Sequence, residues 1–181
     1  MKKVIVYCLV LLIMMAHPGC MIVANENSTI DSTETTGKYT QILSGEVPAD
    51  LQLTIYYMSP DISTRYPVDI ERIVSIPATK KIIVDAEEIE TNEEQLFRLA
   101  TTERIPAHQK TYLDARLYYV LETESSGKIL EVAMNNIYGD TFVNGIAIED
   151  NLIFSEFIEP FLTQEAYAEM KVEELKARYK P

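Results

Sequence analysis

The sequence predicts an α+β domain: an antiparallel β-meander of about four or five strands packed against C-terminal helices and one internal helix. Three observations carry this. Ala115, Leu117, Tyr119 and Leu121 alternate with Arg116, Tyr118, Val120 and Glu122, the period of two that puts one set on each face of a strand. After the turn residues Glu124-Ser125-Ser126-Gly127, Leu130, Val132 and Met134 alternate with Ile129, Glu131 and Ala133. Asn144-Gly145 then stands between Phe142-Val143 and Ile146-Ala147-Ile148. That dipeptide is a strong hairpin signal, because both central residues of a type I′ turn need positive φ.

In chain order, residues 1–24 have the form of a signal peptide. Lys2-Lys3 is a basic start, Val4 to Ala16 is an apolar run of thirteen residues, and His17-Pro18-Gly19 breaks it. As a helix that run spans about 20 Å, short of the roughly 30 Å hydrocarbon core. The chain is therefore expected outside the cytoplasm, secreted or held at the outer face of the cytoplasmic membrane. Three ends to the leader stay open. Ala24 and Ile22 occupy positions that a signal peptidase reads. Gly19-Cys20 resembles the end of a bacterial lipoprotein signal, which implies a leader of residues 1–19 and lipid attachment at Cys20; His17 and Pro18 depart from the aliphatic and small residues of that pattern. Alternatively, residues 4–24 stay uncleaved as an anchor, since 21 residues can just span a bilayer. Membrane association comes only through the leader or a lipid anchor.

Residues 25–38 are rich in Asn, Ser, Thr and Glu, with little to bury, and are expected as a disordered polar tether. Residues 39–181 form the single α+β domain. Leu51, Leu53, Ile55 and Tyr57 alternate with Gln52, Thr54, Tyr56 and Met58 in a first strand, closed by Ser59-Pro60-Asp61. Val68, Ile70, Ile73 and Val74 follow an irregular pattern nearer helix than strand, ended at Pro77. Ile82-Ile83-Val84 marks a second strand. Thr91 and Glu94 have the spacing of a capping box opening a helix over 91–102, with Leu96, Leu99 and Ala100 on its apolar face. After the hairpin, Asp150 can cap a helix over 150–162 that is apolar around most of its circumference, with Pro160 kinking or ending it. Thr163 opens a last helix over 163–179, in which Glu174 faces Arg178.

Composition excludes several functions. The chain carries a net charge of −12; Lys2 and Lys3 are the only charges in residues 1–24, so residues 25–181 carry −14. Such a surface repels phosphate backbones, and nucleic acid is not expected as a partner. Both cysteines, Cys8 and Cys20, lie in the leader, and only one histidine, His108, lies beyond it. A mature chain therefore has no thiol nucleophile, disulfide or ordinary zinc site. No Gly-rich phosphate loop and no Gly-x-Ser-x-Gly elbow occurs, and no cofactor or metal is implied. The acidic run Asp85-Glu87-Glu88-Glu90 lacks the register of a calcium loop, and Asn135-Asn136 and Gly139-Asp140 are ordinary turn residues.

Ten tyrosines lie beyond the leader. Tyr56, Met58, Arg116 and Tyr118 share the non-aliphatic sheet face and are the candidate recognition surface, since rigid amphipathic rings contribute most at interfaces. The leading expectation is a non-enzymatic interaction module that binds a protein, peptide or glycan. Two other classes stay open: an extracytoplasmic carboxylate-dependent hydrolase, and an accessory subunit docking its apolar 151–162 segment on a membrane-embedded partner.

Overall fold

The computed structural model describes residues 46–109, 111–149 and 151–179. The leader, Cys20, the tether and the Asp150 cap lie outside the described residues. The elements in chain order are β1 (Gln52–Tyr57), α1 (Ile70–Ile73), β2 (Lys80–Val84), α2 (Ala86–Glu90), α3 (Glu93–Thr101), β3 (Leu117–Thr123), β4 (Gly127–Met134), β5 (Thr141–Val143) and β6 (Ile146–Ile148). They are followed by α4 (Ile153–Ile158), a 3-10 turn at Glu159–Phe161, α5 (Gln164–Glu169) and α6 (Val172–Tyr179). The α+β class read from the sequence is the observed one. The sheet has six strands in the order β2-β1-β3-β4-β5-β6, and every neighbouring pair is antiparallel. It exceeds the expected four or five because both short arms of the Asn144-Gly145 hairpin pair into it.

The alternation resolves as expected on β1 and β3. Leu53, Ile55 and Tyr57 join Leu117, Tyr119 and Leu121 in one core, together with Leu130, Val132 and Met134 of β4. Helices close this side: Leu96 and Leu99 of α3, Ile153, Phe154, Phe157 and Ile158 of α4, and Phe161, Ala166 and Val172 beyond. Tyr119 is fully buried; its hydroxyl donates to the Phe154 carbonyl at 3.0 Å, and its ring lies 6.0 Å from that of Phe157. Lys80 binds Glu165 and Glu169, each at 2.6 Å, and ties the β2 edge to α5.

The other sheet face is covered too. Met58, Val68, Ile73, Ala115, Tyr118, Val120, Ala133 and Phe142 form a second core, with Ile62, Ile70 and Ile76 packed against it. The cover is the long connection between β1 and β2, whose aliphatic residues have no other place to leave water. Asp69 caps α1 within it by accepting from the Arg72 N–H at 2.8 Å.

Local details depart from the expected boundaries for identifiable reasons. The capping box at Thr91 does not form. Asp85 caps α2 instead by accepting from the Glu88 N–H at 3.0 Å, and the Thr91 hydroxyl donates back to the Glu88 carbonyl at 2.6 Å. The helix expected over 91–102 is therefore preceded by a separate turn of helix. A register shift between Leu121 and Glu122, opposite Leu130 and Lys128, leaves Ile129 as a bulge residue in the first core rather than opposite it. The regular strand begins at Leu117, and Ala115 falls in the second core. Thr163 caps α5 through the Ala166 N–H, as expected, but the last helix breaks at Lys171, whose φ is +53°.

Pro160 sits in the 3-10 turn that ends α4. The Asn144-Gly145 turn has the expected form, with φ of +49° and +80° and Val143 paired with Ile146. Gly145→Val should cost about 1–3 kcal/mol, because a β-branched residue is strained at positive φ. Chemical denaturation measures this, and an unchanged midpoint would contradict the assigned turn.

Candidate functional site

The four residues expected on an open recognition face are largely withdrawn from solvent. Met58 is 1% exposed and Tyr118 4%, Tyr56 is half-buried, and the Arg116 side chain keeps 13% exposure. Tyr56 and Tyr118 stack with centroids 5.7 Å apart and planes 24° from parallel. The Lys81 ammonium lies 5.4 Å from the Tyr56 ring centroid. The Tyr118 hydroxyl donates to Glu131 at 2.9 Å, and Lys128 pairs with the same carboxylate. Burial, then the bond to Glu131, pushes the Tyr118 phenol well up from its ordinary value. This pair is core packing under the 59–77 connection, and the expected exposed tyrosine face is not formed.

Arg116 has a different place. Its guanidinium donates to the Ile62 carbonyl at 2.9 Å, to Asp114 Oδ2 at 2.9 Å and to Thr64 Oγ1 at 3.4 Å. Asp114 Oδ1 accepts from the Val68 N–H at 2.9 Å, and the Asp114 N–H donates to Asn135 Oδ1 at 2.8 Å. Asn135 Nδ2 in turn donates to the Tyr112 carbonyl at 3.1 Å and to Asp140 Oδ2 at 3.0 Å. Three loops, residues 59–68, 111–116 and 135–140, are thereby joined at one end of the sheet by charge-assisted bonds. Lys171 adds an ion pair of 2.7 Å to Asp61.

A cleft of about 460 Å³ opens there, walled by residues 60–67 with Asp114 and Arg116. Tyr66 on its wall is 56% exposed, and Tyr112 on the adjoining loop is 83% exposed. The Arg65 guanidinium covers the Tyr66 ring at 5.4 Å. Neither ring is among the strand tyrosines expected at a recognition surface. Their signal was position: Tyr66 precedes Pro67, and Tyr112 follows the polar stretch 108–111, both in connections rather than alternating strands.

Two other concavities hold carboxylates. One of about 450 Å³ is lined by Asp50, Asp85, Glu122 and Glu124 among others. Asp50 there already accepts from the Ser125 N–H at 3.2 Å, and Asp85 is the α2 cap. The other, about 590 Å³, has Leu162, Tyr167, Ala168 and Val172 between Glu159, Glu173 and Glu174. Glu159 accepts a hydrogen bond from Tyr138, whose phenol is pushed up by burial and then by that bond. Among the described residues, no group of three His, Cys, Asp or Glu side chains is placed to hold a metal ion. His108 is an exposed loop residue, 3.3 Å from Glu149. Among the described residues, no helix is long and apolar enough to cross a membrane.

The contrast between buried and exposed tyrosines can be measured. Tyr118→Ser should cost about 3–5 kcal/mol, the range for truncating a large buried aromatic. Tyr112→Ser should stay within about 0.5 kcal/mol. Urea melts of the two variants check this, and a small cost for Tyr118→Ser would contradict the packing of the second core. In comparisons with known proteins, no family model, no curated protein and no solved structure matches this chain.

Proposed function

We propose that this chain is an exported, non-enzymatic binding domain that engages a protein, peptide or glycan partner through the loop end carrying Tyr66 and Tyr112. The observation that carries this reading is the pairing of exposure with rigidity. The two rings are 56% and 83% exposed, on loops fixed by the Arg116, Asp114 and Asn135 bonds. Exposed tyrosines on ordered loops suit recognition, because large rigid rings bring contact area at little entropy cost. The basic start and apolar run of residues 2–16 support export.

The alternatives have weaker support. A carboxylate-dependent hydrolase needs a pair of acids, and two of the four in the acidic cleft, Asp50 and Asp85, already serve the fold by accepting from backbone N–H groups. An accessory subunit docking through 151–162 needs an accessible apolar face, and Ile153, Phe154, Phe157, Ile158 and Phe161 are all core.

The test is a double variant, Tyr66→Ser/Tyr112→Ser, immobilised beside wild type and exposed to envelope extract and cell-wall polysaccharide. Capture should weaken by about 1–4 kcal/mol, the scale of interface hot spots, with the urea midpoint unchanged. Unchanged capture would contradict the assigned surface. Export is checked by intact mass: residues 1–24 should be absent, or residues 1–19 with lipid on Cys20. A full-length unmodified chain in the cytosol would overturn the location.

A further inference from the structure

Asn144 is the only asparagine in the chain followed by glycine, and it sits exposed at the tip of the β5–β6 hairpin. An Asn-Gly pair is the sequence most open to deamidation, since glycine leaves its backbone nitrogen unshielded; a Cβ on Gly145 would meet nothing within 4 Å. Yet the fold holds Asn144 on two sides. Its N–H donates to the Glu131 carbonyl at 2.8 Å, and its side-chain Oδ1 accepts from the Glu131 N–H at 3.1 Å. Its φ of +49° belongs to a type I′ turn, in which ψ is about +30°. That ψ turns Cβ away from the Gly145 nitrogen, whereas ring closure needs the side chain eclipsed with that nitrogen.

We propose that Asn144 is a conformationally guarded modification site, silent in the paired hairpin and converted to aspartate and isoaspartate when the hairpin lifts from β4. In the open form the Gly145 nitrogen, its proton lost to hydroxide, attacks Asn144 Cγ. The N–Cγ bond forms, the Cγ–Nδ2 bond breaks, and ammonia leaves after taking a proton from water. Water then opens the five-membered imide at either carbonyl, with no oxidant or reductant involved. The isoaspartate product adds a carbon to the backbone, and a two-residue turn cannot absorb it.

Loss of the turn would unpair Phe142 from Ala147 and Val143 from Ile146. It would also free the 105–107 strap, which binds the outer edge of β6 through Ala107 N–H to Ala147 O at 2.9 Å and Glu149 N–H to Ile105 O at 2.8 Å. Conversion would thus be a one-way record of opening at that end of the sheet.

The experiment incubates purified protein at mildly alkaline pH, folded and in urea, and follows the peptide containing residues 141–148 by mass spectrometry. Conversion at Asn144 should be at least about tenfold slower in the folded protein, because a paired hairpin is open in only a minority of molecules. Equal rates would overturn the guard, and no conversion in urea would overturn the site. The isoaspartyl fraction, separated by anion exchange, should melt at a lower temperature than the parent. An identical melt would overturn the claim that the turn depends on the Asn144 backbone.

Discussion

The fold depends on one constraint: β3, next to the middle of the sheet, must be kept dry on both faces. Six of its seven residues are buried, so a helical layer on one side is not enough. On the helical side, Tyr119 sets the geometry. A hydroxyl this deep must be bonded, and leaving it unpaired costs about 1–3 kcal/mol. The Phe154 carbonyl meets it and so fixes where the first turn of α4 sits on the sheet. Phe157 and Phe161 then stack outward from Tyr119 in tilted and edge-on contacts.

On the opposite side the same requirement is met by an irregular connection. The 59–77 stretch contains only one short helix, and backbone this irregular needs side-chain bonds to hold it down. Arg116 and Asp114 supply them in the loop just before β3. The loop that leads into the strand thus carries the anchors of the strand's cover. The covering loop also leaves residues standing free at its margin. Tyr66 and Arg65 are such residues, and Tyr112 stands on the loop to which the cover is tied. Rigid support and exposed aromatics at this end share one cause, which is why the proposed binding surface is assigned there.

Legibility in the sequence followed the strength of local signals. The alternation of Leu53, Ile55 and Tyr57 with Thr54 and Tyr56, and that of Leu117 to Leu121, gave faces that the structure keeps. The Asn144-Gly145 turn was readable because its φ requirement is local. What sequence could not carry was the docking of a segment with no clean period. Val68, Ile70, Ile73 and Ile76 announce burial but not against which surface, and without that knowledge Tyr118 reads as an exposed ring. The fate of Thr91 was equally invisible: it falls at the end of the short helix that Asp85 caps, where its hydroxyl donates to the Glu88 carbonyl, and the next helix starts after Asn92 with no side-chain cap. The break at Lys171 has no glycine or proline to mark it, although Val172 is buried immediately after. Arg116 reads in the sequence as a contact for a partner, whereas its guanidinium is bonded to Ile62, Thr64 and Asp114 and clamps the 59–68 loop.

Tyrosine nitration followed by peptide mapping tests the two-sided burial of the sheet most directly, because it reads individual rings in the folded protein. Tyr66 and Tyr112 should be nitrated in the native state, and Tyr118 and Tyr119 only after unfolding. Modification of Tyr118 as fast as Tyr112 in the native protein would contradict the account, since it would mean that residues 59–77 do not cover the sheet.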